Sequence, residues 1–180
     1  MSVALPIAGD YPAHLERECA TRAGRPVLIR PVKPGDLAAE AEFFGKLSPE
    51  SRYKRFQQVT VPPDATHVYT YTHVDYKLHM AFVCEPLDAR GTIVGDARYF
   101  ANPDGSCEFG IAVADDWHHT GVAQLLMYAL IAAAREHGMT SMASTVLAAN
   151  KDMLGFAAEL GFAAWATPED ARIVRIELPL

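Results

Sequence analysis

Between Cys107 and Gly138 the chain reads "CEFGIAVADDWHHTGVAQLLMYALIAAAREHG", an apolar run that passes through a short turn into an amphipathic helix. Alternation along the run puts Glu108, Gly110 and Ala112 on one face of a strand, and Phe109, Ile111 and Val113 on the other. In the helix, Val122, Leu125, Leu126, Ala129, Leu130 and Ala133 line one apolar face, and Gly138 suits the position just past its end. A buried strand that feeds directly into a buried helix must be covered by further layers, which points to a mixed α/β architecture.

The flanking sequence agrees. "PVLIRPV", "KLHMAFVCE", "GTIVGDARYF", "MTSMASTVL" and "ARIVRIEL" read as strands, the second and third joined by a turn at Asp88 to Gly91. Asp36 is placed to cap a helix "LAAEAEFFGKL", with Leu37, Ala41, Phe44 and Leu47 on one face. Ser48 and Pro49 open a second helix, "SPESRYKRF", and "NKDMLGFAAELGF" is a third, with Met153, Phe156, Ala157 and Leu160 inward. The segment from Gln57 to Tyr76, rich in Thr, Pro and His, reads as a loop. Residues 1–26 read as an N-terminal extension around a helical stretch, "AHLERECATRAG", leading into one domain over residues 27–180. The expected order is β-α-α-β-β-β-α-β-α-β, with a mixed central sheet flanked by helices.

Composition narrows the function. A chain of 180 residues, 50% hydrophobic, is large enough for one substantial core. A formal net charge of −6 argues against nucleic acid as a partner. No stretch approaches the roughly 20 apolar residues of a membrane span, and the N-terminus lacks the order of a signal peptide. Cys19, Cys84 and Cys107 are few, odd in number and far apart, which suits reduced thiols in a cytoplasm. The scattered histidines have no metal-ligand spacing, so no metal is expected.

The turn "WHHTGVA" carries the chemistry. A helix that starts at a strand end points its first free N–H groups, and the positive end of its dipole, beyond the sheet. Gly121 leaves room for a phosphate to approach the backbone, Ala123 keeps the next turn narrow, and Thr120 could cap the helix or donate its hydroxyl. Plain turn chemistry is the commoner reason for a single Gly at such a turn, and neither a P-loop nor a dinucleotide fingerprint is present.

"DDWHHTGVAQLLM" resembles the acetyl-CoA-binding segment of the GCN5-related N-acetyltransferases: Gln or Arg, two residues, Gly, one residue, then Gly or Ala. Gly121 and Ala123 match it, whereas His118 stands where Gln or Arg is usual. "LIRPVKPGD", "ASTVLAANKDM" and "AAELGF" resemble the family's first strand, fifth strand with following Asn, and closing helix, in the family's order. "RPVKPGD…FFGKLSPESRYKRF" with "CEFGIAVADDW" is closest to the acetyltransferase domain of bacterial protein-lysine acetyltransferases of the Pat type. The resemblance implies direct transfer from acetyl-CoA to an amine. Backbone N–H groups of His118, His119, Thr120, Gly121, Val122, Ala123 and Gln124 would cradle the pyrophosphate. Main-chain groups around Ile111 and Val113 would pair with the pantetheine arm, and Asn150 would touch the cofactor or a water. The implied acceptor is a protein lysine, with a small-molecule amine as the alternative. A non-catalytic acyl-CoA-binding module is the rival from another class. The oligomeric state stays open.

An amine attacks only when neutral, and a lysine with pKa about 10.4 is neutral roughly once in 2,500 at pH 7. A positioned base is worth about 10² to 10⁴ in rate. Glu108 is the candidate: a lone carboxylate in an apolar strand beside small residues, at the position of the base in the Pat-like branch. A strand-end Glu that is solvated or paired with Arg98 is the plainer reading. Many family members carry a Tyr seven residues after the Asn to protonate the leaving thiolate, and here that residue is Ala157. His118 and His119 could face the CoA phosphates or merely be solvated. Cys107 reads as a small buried hydrophobe, Trp117 as packed at the sheet edge, and "SRYKRF" as a basic rim or a helix with Tyr53 and Phe56 inward.

Overall fold

The computed structural model describes residues 9–56 and 65–180. Strands β1 (Arg17–Ala20) and β2 (Pro26–Pro31) are followed by helices α1 (Leu37–Lys46), α2 (Pro49–Phe56) and α3 (Ala65–Thr72). Then come β3 (His79–Pro86), β4 (Gly95–Ala101), β5 (Cys107–Val113) and α4 (Val122–Glu136). The chain closes with β6 (Ser141–Leu147), α5 (Lys151–Glu159), β7 (Ala163–Ala166) and β8 (Ile173–Pro179). The strands form one sheet in the order β1-β2-β3-β4-β5-β6-β8-β7.

Three elements go beyond the sequence reading. Within "AHLERECATRAG" only Ala13–Leu15 is helical, as a single 3-10 turn, and Arg17–Ala20 pairs antiparallel with β2. Residues 17–20 are therefore an edge strand of the main sheet. Part of the expected loop, residues 65–72, is helical, while residues 57–64 lie outside the described residues. "AAWA" is the outer strand β7, although alanine disfavours strands.

The core builds on α4. Val122, Leu126, Met127 and Leu130 are fully buried against β3 and β4, each worth about 1.5–3 kcal/mol of transfer free energy. On the opposite face of the sheet, α1 is rotated from its expected orientation. Leu37 is 40% exposed, and the buried set is Glu40, Phe43, Phe44 and Leu47. The rotation has an electrostatic cause, since Glu40 reaches Arg98 of β4 (3.2 Å), which also holds Asp96 (3.0 Å through Nε), all three shut off from solvent. Burial, then the neighbouring Asp96, pushes the Glu40 carboxyl well above the usual carboxylate range. Asp36 does not cap α1 with its side chain; its carboxylate takes Arg30 in a two-pronged pair (2.7 and 2.8 Å) and the Lys33 N–H. Ser48 does cap α2, accepting from the Ser51 N–H at 3.1 Å.

Every pairing in the sheet is antiparallel except β5 with β6, which α4 connects. A parallel pair needs such a crossover. β5 pairs with β4 along its whole length, from Cys107↔Ala101 to Val113↔Gly95, and β6 pairs with β8 over seven positions. Between them only Cys107↔Met142 and Glu108↔Ala143 are joined. Past Glu108 the two strands part, and the sheet opens as a wedge.

Candidate active site

The wedge widens into a cavity of about 720 Å³, within the range of small-molecule sites. Its walls are the edge of β5 that faces away from β4, from Phe109 to Val113, and the facing edge of β6 at Ser144 to Val146. Its floor is the start of α4, and α2 and α5 overhang it. A parted pair of strands leaves main-chain donors and acceptors without a ladder partner, and such groups favour an extended polar ligand.

Glu108 stands at the vertex. Its side chain is 40% exposed, and its Oε1 lies 3.0 Å from Nη2 of Arg175 on β8. The pairing with Arg98 that the plainer reading allowed is not made, because Arg98 is spent on Asp96 and Glu40. Nor is the carboxylate buried: it lies in the lining with an exposed cation as its partner, placed to meet a group that enters from solvent. Ile111 and Val113 line the β5 wall, and Asn150 lines the far side, its side-chain oxygen capping α5 through the Met153 N–H at 3.3 Å.

At the floor, His118, His119, Gly121, Val122, Ala123 and Gln124 all line the cavity. Thr120 does not; its hydroxyl donates to the Trp117 carbonyl at 2.6 Å, so it neither caps α4 nor faces a ligand. Gly121 takes the cap position with φ +99°, a conformation open to glycine and costly for other residues. His119 also has positive φ, 60°. The His118 ring meets the Val113 carbonyl at 2.9 Å and so occupies one acceptor of the β5 edge. Gln124 donates to the Tyr128 hydroxyl one turn along α4.

The space that Gly121 leaves open is filled by the chain itself. A Cβ there would lie 3.0 Å from the Arg22 backbone nitrogen and 3.1 Å from its Cβ. The β1–β2 turn thus packs on the glycine that the sequence reserved for close approach of a phosphate.

Arg22 carries no sequence signal and reaches the cavity from a stretch read as helical. Arg55, in the "SRYKRF" read as a basic rim, lines the cavity with Ser51 and Lys54 and lies flat over Gly110, where a Cβ would be 2.5 Å from its guanidinium carbon. Burial lowers the pKa of Arg55, and among the described residues its Nε has no hydrogen-bond partner. Asp115 anchors α2 above the site, accepting from the Ser48 N–H (3.0 Å) and hydroxyl (2.8 Å) and from the Ser51 hydroxyl (2.7 Å). Against the upward pull of partial burial, those bonds hold its carboxyl below the ordinary value. Tyr53 points outward, 39% exposed, while Phe56 packs on Phe44 with ring centroids 5.6 Å apart. Burial pushes the Cys107 thiol up to about 12, which removes it as a nucleophile. Trp117 is buried beneath the Arg25 guanidinium, 3.4 Å from the ring centroid. Among the described residues no group of three or more His, Cys, Asp or Glu could hold a metal ion, and no helix is long and apolar enough to cross a membrane.

Comparison with known proteins gives a consistent picture. Residues 47–162 match the sequence profile of the acetyltransferase (GNAT) family. Acetyltransferase PA5475 of Pseudomonas aeruginosa is 35% identical over 159 residues, 87% of this chain and 86% of that protein. Acetyltransferase Pat of Mycolicibacterium smegmatis is 33% identical over 159 residues, again 87% of this chain but 46% of that protein. The chain therefore spans about half the length of Pat. The crystal structure of the GNAT domain of S. lividans PAT superposes with a TM-score of 0.87 at 27% identity, covering 95% of this chain and 100% of that one.

Proposed function

Because the chain belongs to the GNAT acetyltransferase family, we propose that it transfers acetyl directly from acetyl-CoA to a primary amine, a protein lysine, with Glu108 as the base. One observation carries this reading: the parallel seam between β5 and β6 opens at Glu108 into a cavity that ends on the first turn of α4. Bound acetyl-CoA supplies a thioester carbonyl open to attack. The β5 edge at Ile111 holds the amide-bearing arm as an added strand would be held. The free N–H groups from His119 to Gln124 take the pyrophosphate. Asn150 steadies the β6 side.

Glu108 removes the proton that an attacking amine must lose; the new C–N bond forms at the carbonyl carbon as the C–S bond breaks. In the resting arrangement Arg175 holds the carboxylate, so an incoming cationic amine exchanges places with a resident cation. Trp165, Glu169 and Glu177 border a shallow depression beside Arg175, and this acidic, aromatic approach suits a lysine side chain. Ala157, where many members carry a Tyr, is buried and has no proton to donate to the departing sulfur.

The test is release of free CoA thiol from acetyl-CoA with a lysine-bearing peptide, for wild type and Glu108→Gln. Turnover should fall by about 10² or more while acetyl-CoA affinity stays within a few-fold. Equal turnover would remove Glu108 from the mechanism, and no amine-dependent thiol release with any peptide or small amine would leave a binding module.

A further inference from the structure

The turn between β1 and β2, outside the segment that matches the family profile, bears directly on the floor of the cavity. Its backbone packs on Gly121, the Ala23 N–H donates to the Thr120 carbonyl at 3.3 Å, and Nη2 of Arg22 lies 3.5 Å from the His119 carbonyl. The Ala23 bond fixes the Thr120–Gly121 peptide plane, and the longer Arg22 contact leans on the His119–Thr120 plane before it. In a trans peptide the carbonyl and the following N–H point in opposite directions. Holding the His119 and Thr120 carbonyls toward the hairpin therefore turns the Thr120 and Gly121 N–H groups away from it. Both His119 and Gly121, which flank Thr120, have positive φ.

Arg22 itself lines the cavity and is exposed. Its bond to His119 is at the long limit, so the guanidinium can be drawn away by a better acceptor at little loss. A guanidinium beside a set of outward-turned N–H groups is suited to a phosphate, which it can grip through two parallel bonds. We propose that the β1–β2 hairpin is a working part of the cofactor site, with Arg22 as a phosphate-binding residue for CoA and the hairpin backbone orienting the amides of the α4 turn. This rests on the acetyl-CoA reading above and extends the site to residues that the sequence placed outside the domain.

The experiment is calorimetric titration of wild type, Arg22→Gln and Arg22→Lys with CoA and with dephospho-CoA, at low and high salt. The glutamine variant should bind CoA roughly tenfold more weakly, the lysine variant should recover part of the loss, and the dependence of affinity on salt should flatten in Arg22→Gln. If dephospho-CoA shows the same loss, Arg22 grips the pyrophosphate; if it shows none, the 3′-phosphate. The thermal midpoint should fall by no more than about 6 °C, since the exposed side chain gives up one long bond to the His119 carbonyl. Arg22→Gln binding CoA as tightly as wild type, with the same salt dependence, overturns the proposal alone. Wild type that binds no CoA overturns the acetyltransferase reading, and the assignment of Arg22 with it.

Discussion

Two glycines allow the seating of the hairpin to be weighed against a matched control. Gly121 and Gly138 both have positive φ, +99° and +75°, so alanine at either position is forced into a left-handed conformation costing about 1–2 kcal/mol. They differ in what surrounds the new methyl group. At Gly138 nothing among the described residues lies within 4 Å, whereas at Gly121 the methyl meets the Arg22 backbone at 3.0 Å. To relieve that contact the hairpin must lift, weakening the bonds to the Thr120 and His119 carbonyls, at about 0.5–1.5 kcal/mol each. Gly138→Ala should therefore cost about 1–2 kcal/mol and Gly121→Ala about 2–5 kcal/mol. For a chain of this size that is a fall in Tm of about 2–8 °C against about 4–20 °C. Urea unfolding at pH 7 with unchanged m-values gives the free energies, and CoA titration of the same samples reads the site. Affinity should drop only in Gly121→Ala. Equal losses of stability in the two variants would refute the reasoning, because they would mean that the hairpin yields freely and is not seated on Gly121.

Other consequences can be read in the same assays. Burial, and then the adjacent Arg98, lowers His79 to about 3, against about 6.5 in an unfolded chain. The unfolded state thus binds more protons between those values, and stability should fall as pH drops from about 6.5 toward 3, by up to about 1.4 kcal/mol per pH unit. His79→Gln, which keeps an acceptor for Arg98, should shrink the difference in urea stability between pH 7 and pH 5; an undiminished difference would assign the acid sensitivity elsewhere. Asp115→Ala removes three hydrogen bonds from the start of α2 and should cost about 1–3 kcal/mol. Amide exchange in Arg52–Phe56 should accelerate more than in α4, and uniform acceleration would show that α2 does not depend on this anchor.

The strand-turn-helix unit was legible because periodicity changes from two to 3.6 across a single turn, and the helix stops at a glycine. The placement of nearly every expected site residue around one cavity follows from that unit. Thr120 escaped because a hydroxyl near a helix start has several possible acceptors, and the choice of Trp117 depends on the 3-10 turn at Asp115–Trp117. The face of α1 was misjudged because a hydrophobic pattern counts Glu40 as an outward residue. Its burial depends on Arg98, 58 residues away. β1 and β7 were hidden because "RECA" and "AAWA" have little strand character of their own and exist through pairing with β2 and β8. Arg22 and Arg175 belong to the same class: what each touches is decided by a strand register that no local pattern displays.

Seen from its seam, the sheet is two leaves, β1 to β5 and β6-β8-β7, bound edge to edge by two residue pairs and by the crossing helix α4. The Glu108–Arg175 ion pair is a clasp across that seam, since β5 belongs to one leaf and β8 to the other. In the mechanism proposed above, a ligand lodged in the wedge is a keystone that ties the leaves above a short joint, and an entering amine opens the clasp as it frees the carboxylate.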